Sequence, residues 1–211
     1  MTLQADQLAC SRGDTPLFAG LDFEIRPGEA LWLTGPNGSG KTSLLRLLCG
    51  LAEPVTGSVR WRGANVRALR EDFHRDLIYS AHADGVKDDL SAWENVVFAA
   101  RLGGRPCDRQ QAYRALDAVG LQRAAHLPAR VLSQGQRKRV NLARLHVGRP
   151  AEVYVLDEPF NALDQAAVDS LESTLNDRLA QGAVVVYTTH QELALRASRL
   201  HRLDLSQARP C

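Results

Sequence analysis

One glycine-rich segment, residues 35–42, constrains this chain more than any other. The segment consists of Gly35, Pro36, Asn37, Gly38, Ser39, Gly40, Lys41 and Thr42. It fits the pattern Gly-x4-Gly-Lys-Ser/Thr at every fixed position, between an apolar run that predicts a strand and one that predicts a helix. Because glycine can turn where a Cβ would clash, successive backbone N–H groups of such a loop converge on one anion. The segment therefore predicts a loop that binds the phosphates of a nucleotide.

The end of this loop supplies the candidate side chains for the nucleotide and its metal. Lys41 can reach the outer phosphates, and Thr42 can ligate Mg²⁺ through its hydroxyl group. The apolar helix predicted from Ser43 adds the positive end of its dipole. Residues 35–43 together are the candidate phosphate-binding residues.

Length, charge and cysteine spacing limit the possible classes of protein. A chain of 211 residues can bury one sizeable core with a smaller lobe attached. Its formal net charge of +2 gives no bulk electrostatic reason to expect a nucleic-acid partner. The cysteines at 10, 49, 107 and 211 lack the close spacing of zinc or redox sites, and the first residues lack the pattern of a secretory leader. Since no run of about 18 apolar residues exists, a role at a membrane would need a partner.

The apolar pattern predicts a single α/β domain over residues 1–211. Strands are expected at residues 2–10, 17–25, 30–34, 57–61, 76–80, 152–156 and 183–188. The last two runs are continuously apolar, which is typical of a parallel sheet covered on both faces, and a helix between them makes a crossover connection. Residues 91–147 have a helical pattern instead. We therefore expect a core made of residues 1–87 and 132–211, interrupted by a helical lobe at about residues 88–131.

Two acids follow the predicted strand at residues 152–156. In open α/β sheets, ligands bind at the carboxyl ends of the strands, where the phosphate loop also lies. Asp157 is placed to hold Mg²⁺ directly or through water, and Glu158 to polarise the water that attacks the γ-phosphate. Alone, such a pair is more often a pair of acids in a loop. After a phosphate loop, it predicts a catalytic site.

The segment Leu132-Ser133-Gln134-Gly135-Gln136 precedes a helix that carries several basic residues. A capped helix with a solvated basic face would explain Ser133 but not Gly135 and Gln136. In its position between the phosphate loop and the acid pair, the segment resembles the signature of ATP-binding-cassette ATPases. The segment Asn161-Ala162-Leu163-Asp164 resembles the D-loop of that family. The segment Thr188-Thr189-His190 resembles the one that ends in its switch histidine.

This resemblance covers essentially the whole chain, and it implies a fold, cofactors and a shared site. The implied fold is a P-loop NTPase of the ABC ATPase type, with an antiparallel β lobe and a helical lobe. ATP and Mg²⁺ are the implied cofactors, and Glu158 and His190 the implied catalytic residues. ATP would lie between the phosphate loop of one subunit and the signature of a second copy. That copy would contribute Ser133, Gly135, Gln136 and Asp164.

Three residues depart from the usual pattern of the family. Gln134 replaces the second glycine of the signature and is expected to point away from the nucleotide. Arg12 stands where the family has an aromatic residue on the adenine, and a guanidinium can stack on a base as well. His82 stands in place of the Q-loop glutamine and is the third candidate metal contact, although neutral imidazole suits Mg²⁺ less well than oxygen does.

The chain also resembles a narrower family, through Arg12, His82 and five segments. These segments are residues 10–18, 81–87, 90–95, 156–160 and 188–191. These are the ATP-binding subunits of bacterial cytochrome c maturation transporters, also called haem exporters. The resemblance implies a pair of peripheral subunits at the cytoplasmic face of the bacterial inner membrane, docked to integral membrane subunits. ATP hydrolysis would be coupled to haem export or to release of a haem-loaded chaperone. Docking is expected in the groove between residues 82–90 and the helical lobe.

No direct haem binding and no nucleic-acid partner are inferred. The histidines at 74, 126, 146 and 201 are predicted to be surface or core residues. An ATPase of another small exporter is the near alternative, which Arg12 and residues 81–87 disfavour. Soluble cassettes that act on ribosomes or DNA usually carry two cassettes or a coiled coil, and this chain has neither. A P-loop kinase would leave residues 132–136 unexplained.

Overall fold

The computed structural model describes residues 2–83 and 85–208, which form two sheets and a set of helices. The strands are β1 (Leu3–Arg12), β2 (Thr15–Ile25), β3 (Ala30–Thr34), β4 (Thr56–Trp61), β5 (Ala64–Asn65), β6 (Leu77–Ser80), β7 (Val153–Leu156), β8 (Val184–Thr188) and β9 (Leu200–Asp204). The helices are α1 (Lys41–Leu48), α2 (Val66–Leu69), α3 (Glu71–Asp76), α4 (Ala92–Leu102), α5 (Arg109–Ala118), α6 (Gln134–Ala143) and α7 (Gln165–Ala180). Short 3₁₀ turns lie at Gln122–Ala124, Ala129–Val131 and Arg144–His146. The predicted α/β class is confirmed.

The larger sheet is parallel and brings the predicted functional segments to one edge. Its strand order is β6-β7-β8-β3-β9, and all four neighbouring pairs run parallel. Every residue of β7 and β8 is buried, as expected for strands covered on both faces. Because parallel strands end at the same edge, the segments that follow β3, β6, β7 and β8 lie close together.

The smaller sheet is the predicted antiparallel β lobe, with strand order β2-β1-β4-β5. Its apolar face packs with α1 and the parallel sheet in one core, which includes Leu3, Ile25, Leu44 and Trp61. A second core lies between the parallel sheet and α7. The two sheets and α1 therefore hold the phosphate loop between them.

The helical region has its own core, formed by α4, α5 and α6. Val96, Leu116, Leu132 and Val140 are buried in it. The basic face of α6 is not fully solvated, because Lys138 is only 4% exposed. The solvated-face reading is therefore wrong for this part of α6. Among the residues that the structure describes, no helix is long and apolar enough to cross a bilayer.

Two short helices, α2 and α3, were not predicted, and the strand expected from residue 76 begins one residue later. Asp76 instead ends α3, where its carboxylate is buried. It accepts a hydrogen bond from Trp61 Nε1 (3.3 Å) and pairs with Arg62 (3.3 Å) and Arg149 (2.7 Å). Cys10, Cys49 and Cys107 are free thiols, and Cys211 lies outside the described residues.

Candidate functional site

The phosphate loop connects β3 to α1, as predicted, and α1 begins at Lys41. Gly40 caps the helix with φ at +100°. A Cβ at Gly40 would lie 3.2 Å from the side chains of Leu17 and Phe18, so both the conformation and the packing favour glycine there. Strand β2 of the β lobe thus packs directly against the turn that precedes α1.

Lys41 lies against the loop that precedes it. Its Nζ donates hydrogen bonds to the carbonyl groups of Gly35 (2.7 Å) and Pro36 (3.2 Å). The ammonium group is therefore held inside the curve of the loop, where outer phosphates would bind. The Oγ of Ser39 is buried and has no hydrogen-bond partner among the described residues.

Two threonine side chains connect the phosphate loop, the two acids and the end of β8. Thr42 Oγ1 donates to Asp157 Oδ2 (2.7 Å), and Thr188 Oγ1 donates to Asp157 Oδ1 (2.8 Å). The same Thr188 hydroxyl accepts the backbone N–H of Glu158 (2.8 Å). Thr188 was predicted only as part of a motif, and its contact with both acids was missed. Its place just before the switch histidine was the available signal.

Glu158 combines a positive backbone φ with a buried carboxylate. Its φ is +47°, a strained value for a residue with a Cβ, and such strain tends to occur at functional sites. The side chain is 9% exposed, with Oε1 3.5 Å from Nε2 of His190. Its Oε2 is buried without a hydrogen-bond partner in the described ranges. The carboxylate is therefore held with one oxygen towards His190 and the other inside the protein.

These segments surround an open cavity of about 410 Å³. The lining residues are Arg12, Asn37, Gly38, Gly40, Lys41, Thr42, Ser43, His82, Asp157, Glu158, Asn161 and His190. The structure thus brings together most of the predicted phosphate-binding residues with the metal and catalytic candidates, including Arg12 and His82, two of the three departures from the usual family pattern. Asn161 is an additional lining residue that the sequence predicted only as part of a loop.

The oxygen donors in this cavity fit Mg²⁺. Thr42 and Asp157 place a hydroxyl and a carboxylate within 2.7 Å of each other. Mg²⁺ is usually held by one or two such protein groups, with phosphates and water as the other ligands. In residues 2–83 and 85–208, no group of three or more His, Cys, Asp or Glu side chains is placed to hold a metal ion.

The predicted signature residues lie outside this cavity. Ser133 caps α6, with its Oγ accepting the N–H of Gln136 (3.2 Å) and its own N–H bound to Gln136 Oε1 (2.9 Å). A Cβ at Gly135 would lie 2.5 Å from the carbonyl oxygen of Ala162, which gives the glycine a packing role within the chain. Asp164 is exposed and caps α7. Gln134 is exposed as well.

The remaining histidines also lie away from the cavity. His74 is hydrogen-bonded to the carbonyl of Cys49 (3.2 Å), and His201 to Glu29 (2.8 Å). Burial lowers the pKa of His146, with a smaller effect of Arg178 in the same direction.

The fold and the cavity define an ATP-binding cassette, and comparisons with known proteins agree. The sequence model of the ABC transporter family matches residues 18–161. Among solved structures, a putative ABC transporter ATP-binding protein from Pyrococcus furiosus aligns over 100% of both chains, with a TM-score of 0.83 and 24% identity. A dimeric bacterial ABC transporter cassette aligns over 96% of this chain and 94% of its own, with a TM-score of 0.82 and 25% identity.

Curated relatives narrow the family. The "Cytochrome c biogenesis ATP-binding export protein CcmA" of Nitrosomonas europaea is 49% identical over 97% of this chain and 95% of its own length. The protein of the same name from Aromatoleum aromaticum is 52% identical over 90% of this chain and 89% of its own. The chain therefore belongs to the ABC transporter family and, within it, to the CcmA family. The resemblance predicted from the sequence is confirmed.

Proposed function

We propose that this chain is the ATP-binding and ATP-hydrolysing subunit of a bacterial transporter that serves cytochrome c biogenesis. The observation that carries the proposal is the high identity to CcmA proteins over nearly the whole of both chains. The cavity supports it, since phosphate-loop, metal and catalytic candidates line one space. These relatives are named export proteins, and the export role proposed for this chain is taken from their names.

The phosphate loop and Arg12 hold the nucleotide. Backbone N–H groups of residues 35–42 and the start of α1 bind the phosphates, and Lys41 contacts the outer ones. Arg12 ends β1 at the cavity wall, where its guanidinium stacks on the adenine. Nucleotide affinity thus comes mainly from the loop, with a smaller contribution from the base.

Thr42 and Asp157 would hold Mg²⁺, and His82 lines the same cavity. When bound, Mg²⁺ neutralises charge on the β- and γ-phosphates. The hydrogen bond from Thr188 fixes the other oxygen of Asp157, so the carboxylate keeps one orientation.

Glu158 and His190 carry out the chemical step. A water molecule attacks the γ-phosphorus while the bond to the bridging oxygen of ADP breaks, and the water's proton passes to the carboxylate of Glu158, which lines the cavity. His190 lies beside Glu158 and binds a γ-phosphate oxygen. The products are ADP and inorganic phosphate.

A second copy of the chain completes the site. Its Ser133, Gly135, Gln136 and Asp164 lie outside the cavity of their own subunit, and Ser133 and Asp164 are exposed. The similar cassette seen as a dimer supports this arrangement. ATP then lies between the phosphate loop of one copy and the N-terminus of α6 of the other.

The membrane subunits dock in a groove of about 370 Å³ between β6 and the helices α4 and α6. Leu51, Phe98 and Leu102 line this groove and are 48%, 41% and 74% exposed, so the groove offers exposed apolar side chains to a partner. The helical lobe, at about residues 88–131, transmits the nucleotide state to these subunits. The chain would then sit at the cytoplasmic face of the inner membrane and bind neither haem nor nucleic acid itself.

Deletion of the gene tests this proposal. We expect the deletion strain to lose covalent attachment of haem to its c-type cytochromes, measured by haem staining of denatured proteins. The unmodified gene should restore attachment, and the Lys41→Ala gene should not. Normal c-type cytochromes in the deletion strain would overturn the transporter assignment and leave the ATPase assignment standing.

A further inference from the structure

Two arginines lie at the floor of the groove between β6 and the helical region. Arg105 follows α4 and is 6% exposed, and Arg144 follows α6 and is mostly buried. Arg105 donates to the carbonyl groups of Leu77 (3.0 Å) and Arg75 (2.6 Å), and Arg144 donates to that of Tyr79. The two guanidinium groups thus occupy the free side of β6, the edge strand of the parallel sheet.

Covering a sheet edge explains these hydrogen bonds but not the charges. A neutral amide side chain could donate to a carbonyl at a lower cost of burial than a guanidinium. The Nε atoms of Arg105 and Arg144 are buried without hydrogen-bond partners among the described residues. Neither arginine forms an ion pair within residues 2–83 and 85–208. The nearby Asp76 is already paired with Arg62 and Arg149.

The groove therefore has a positive floor and apolar walls. No Asp or Glu occurs among its described lining residues. Burial and the neighbouring charge of Arg105 lower the pKa of Arg144 to about 10, and burial lowers the pKa of Arg105 as well. Because a guanidinium group stays protonated at neutral pH, the groove carries two positive charges. Low-dielectric walls strengthen the field of these two charges inside the groove.

We propose that the segment of the membrane subunits that docks in this groove carries an Asp or Glu on an otherwise apolar face, and that its carboxylate binds Arg144. The apolar part of the segment covers Leu51, Phe98 and Leu102. Its carboxylate offsets the charge of Arg144 and lies in the field of Arg105. This inference rests on the proposed function, because it names the chemistry of the partner at the same docking surface.

The test measures binding of the purified chain to the membrane subunits encoded by its neighbouring genes, reconstituted in lipid nanodiscs. Arg144→Gln keeps a donor for the Tyr79 carbonyl and removes the charge, so its affinity should fall about 30-fold or more, as for a broken buried charge pair. Arg144→Lys should recover most of the affinity. Arg60→Gln, at an exposed residue paired with Asp6 in the β lobe, is the matched control and should bind normally.

An Arg144→Gln variant that keeps its melting temperature and ATP binding, and still binds the membrane subunits with unchanged affinity, would overturn the inference. Failure of the unmodified chain to bind them would instead count against the proposed function. If Arg144→Gln does not fold, the partner supplies the test. Each Asp and Glu in the cytoplasmic loops of the membrane subunits is changed to Asn or Gln. One of these changes should weaken binding to a similar degree, and no effect from any of them would refute the inference.

Discussion

The two halves of the proposed nucleotide site differ in how they are held. The phosphate-loop half is tied together within one chain, where the side chains of Thr42, Asp157 and Thr188 form a continuous series of hydrogen bonds. In the signature half, the polar groups bond within one helix end, since Ser133 and Gln136 form two reciprocal hydrogen bonds in a capping box. The first half lines a cavity, and the second half lies at a helix N-terminus outside it.

Under the proposed function, this difference means that a single chain contains the groups proposed for the chemistry, while a second copy is needed to close the site. The hydrogen bonds of Asp157 and Glu158 to Thr188 lie within one chain, so the proposed catalytic residues are oriented without a second subunit. The N-terminus of α6 carries the positive end of the helix dipole, which favours an anion, and it lies outside the cavity of its own chain. Closing the site is then a matter of association, and changes in the two halves should have separable effects.

The largest expected effect is on nucleotide binding, in the phosphate-loop half. Lys41→Ala removes the ammonium group held inside the loop, together with its charge-assisted contacts. We expect ATP affinity to fall by more than about 100-fold, measured by calorimetry. Lys87→Ala, at an exposed lysine outside the cavity, is the matched control and should bind ATP normally. Normal affinity in Lys41→Ala would refute the phosphate-loop assignment.

Glu158→Gln should separate chemistry from binding. The amide keeps the size of the side chain but cannot accept the proton of the attacking water, so turnover should fall about 100-fold or more. ATP affinity should stay within about twofold, because Glu158 makes no proposed contact with the ground-state phosphates. Steady-state phosphate release and calorimetry measure the two quantities. A variant that hydrolyses ATP at the normal rate would show that another group is the base.

Thr188→Val tests whether one hydroxyl orients both acids. The change keeps the shape of the side chain but leaves the N–H of Glu158 buried without its acceptor, which costs about 1–3 kcal/mol of stability. We expect turnover to fall about tenfold at saturating Mg²⁺ and ATP, as for a misplaced catalytic group. Thr188→Ser restores the hydroxyl and should restore turnover. If Ser and Val variants behave alike, Thr188 has no positioning role.

The smallest expected effect concerns binding of the adenine ring. Arg12→Ala removes the guanidinium at the cavity wall, and a lost cation–π contact should weaken ATP binding about threefold to tenfold. Binding of tripolyphosphate should be unchanged, and Arg12→Tyr should restore the preference for ATP. An unchanged ratio of the two affinities in Arg12→Ala would contradict stacking on the adenine.

Much of the fold and the cavity could be predicted because it follows from local patterns. The apolar runs of β7 and β8, the loop before Lys41 and the acids after β7 are each contiguous in sequence. What was missed depends on tertiary contacts. Arg105 belongs to a Gly-Gly-Arg-Pro linker in the sequence, and only the packing of the lobe against β6 buries it. The contact of Thr188 with two residues thirty positions away likewise needs the parallel register of β7 and β8.

In the proposed assembly, each chain holds half of a nucleotide site that a second copy closes. Sedimentation of Glu158→Gln with and without Mg-ATP tests it most directly, since slow hydrolysis preserves the bound nucleotide. We expect a monomer without ATP and a dimer at saturating ATP, and we expect the dimer to be lost when Ser133→Arg is added to the same variant. A strictly monomeric Glu158→Gln protein that binds ATP with normal affinity would contradict the shared site.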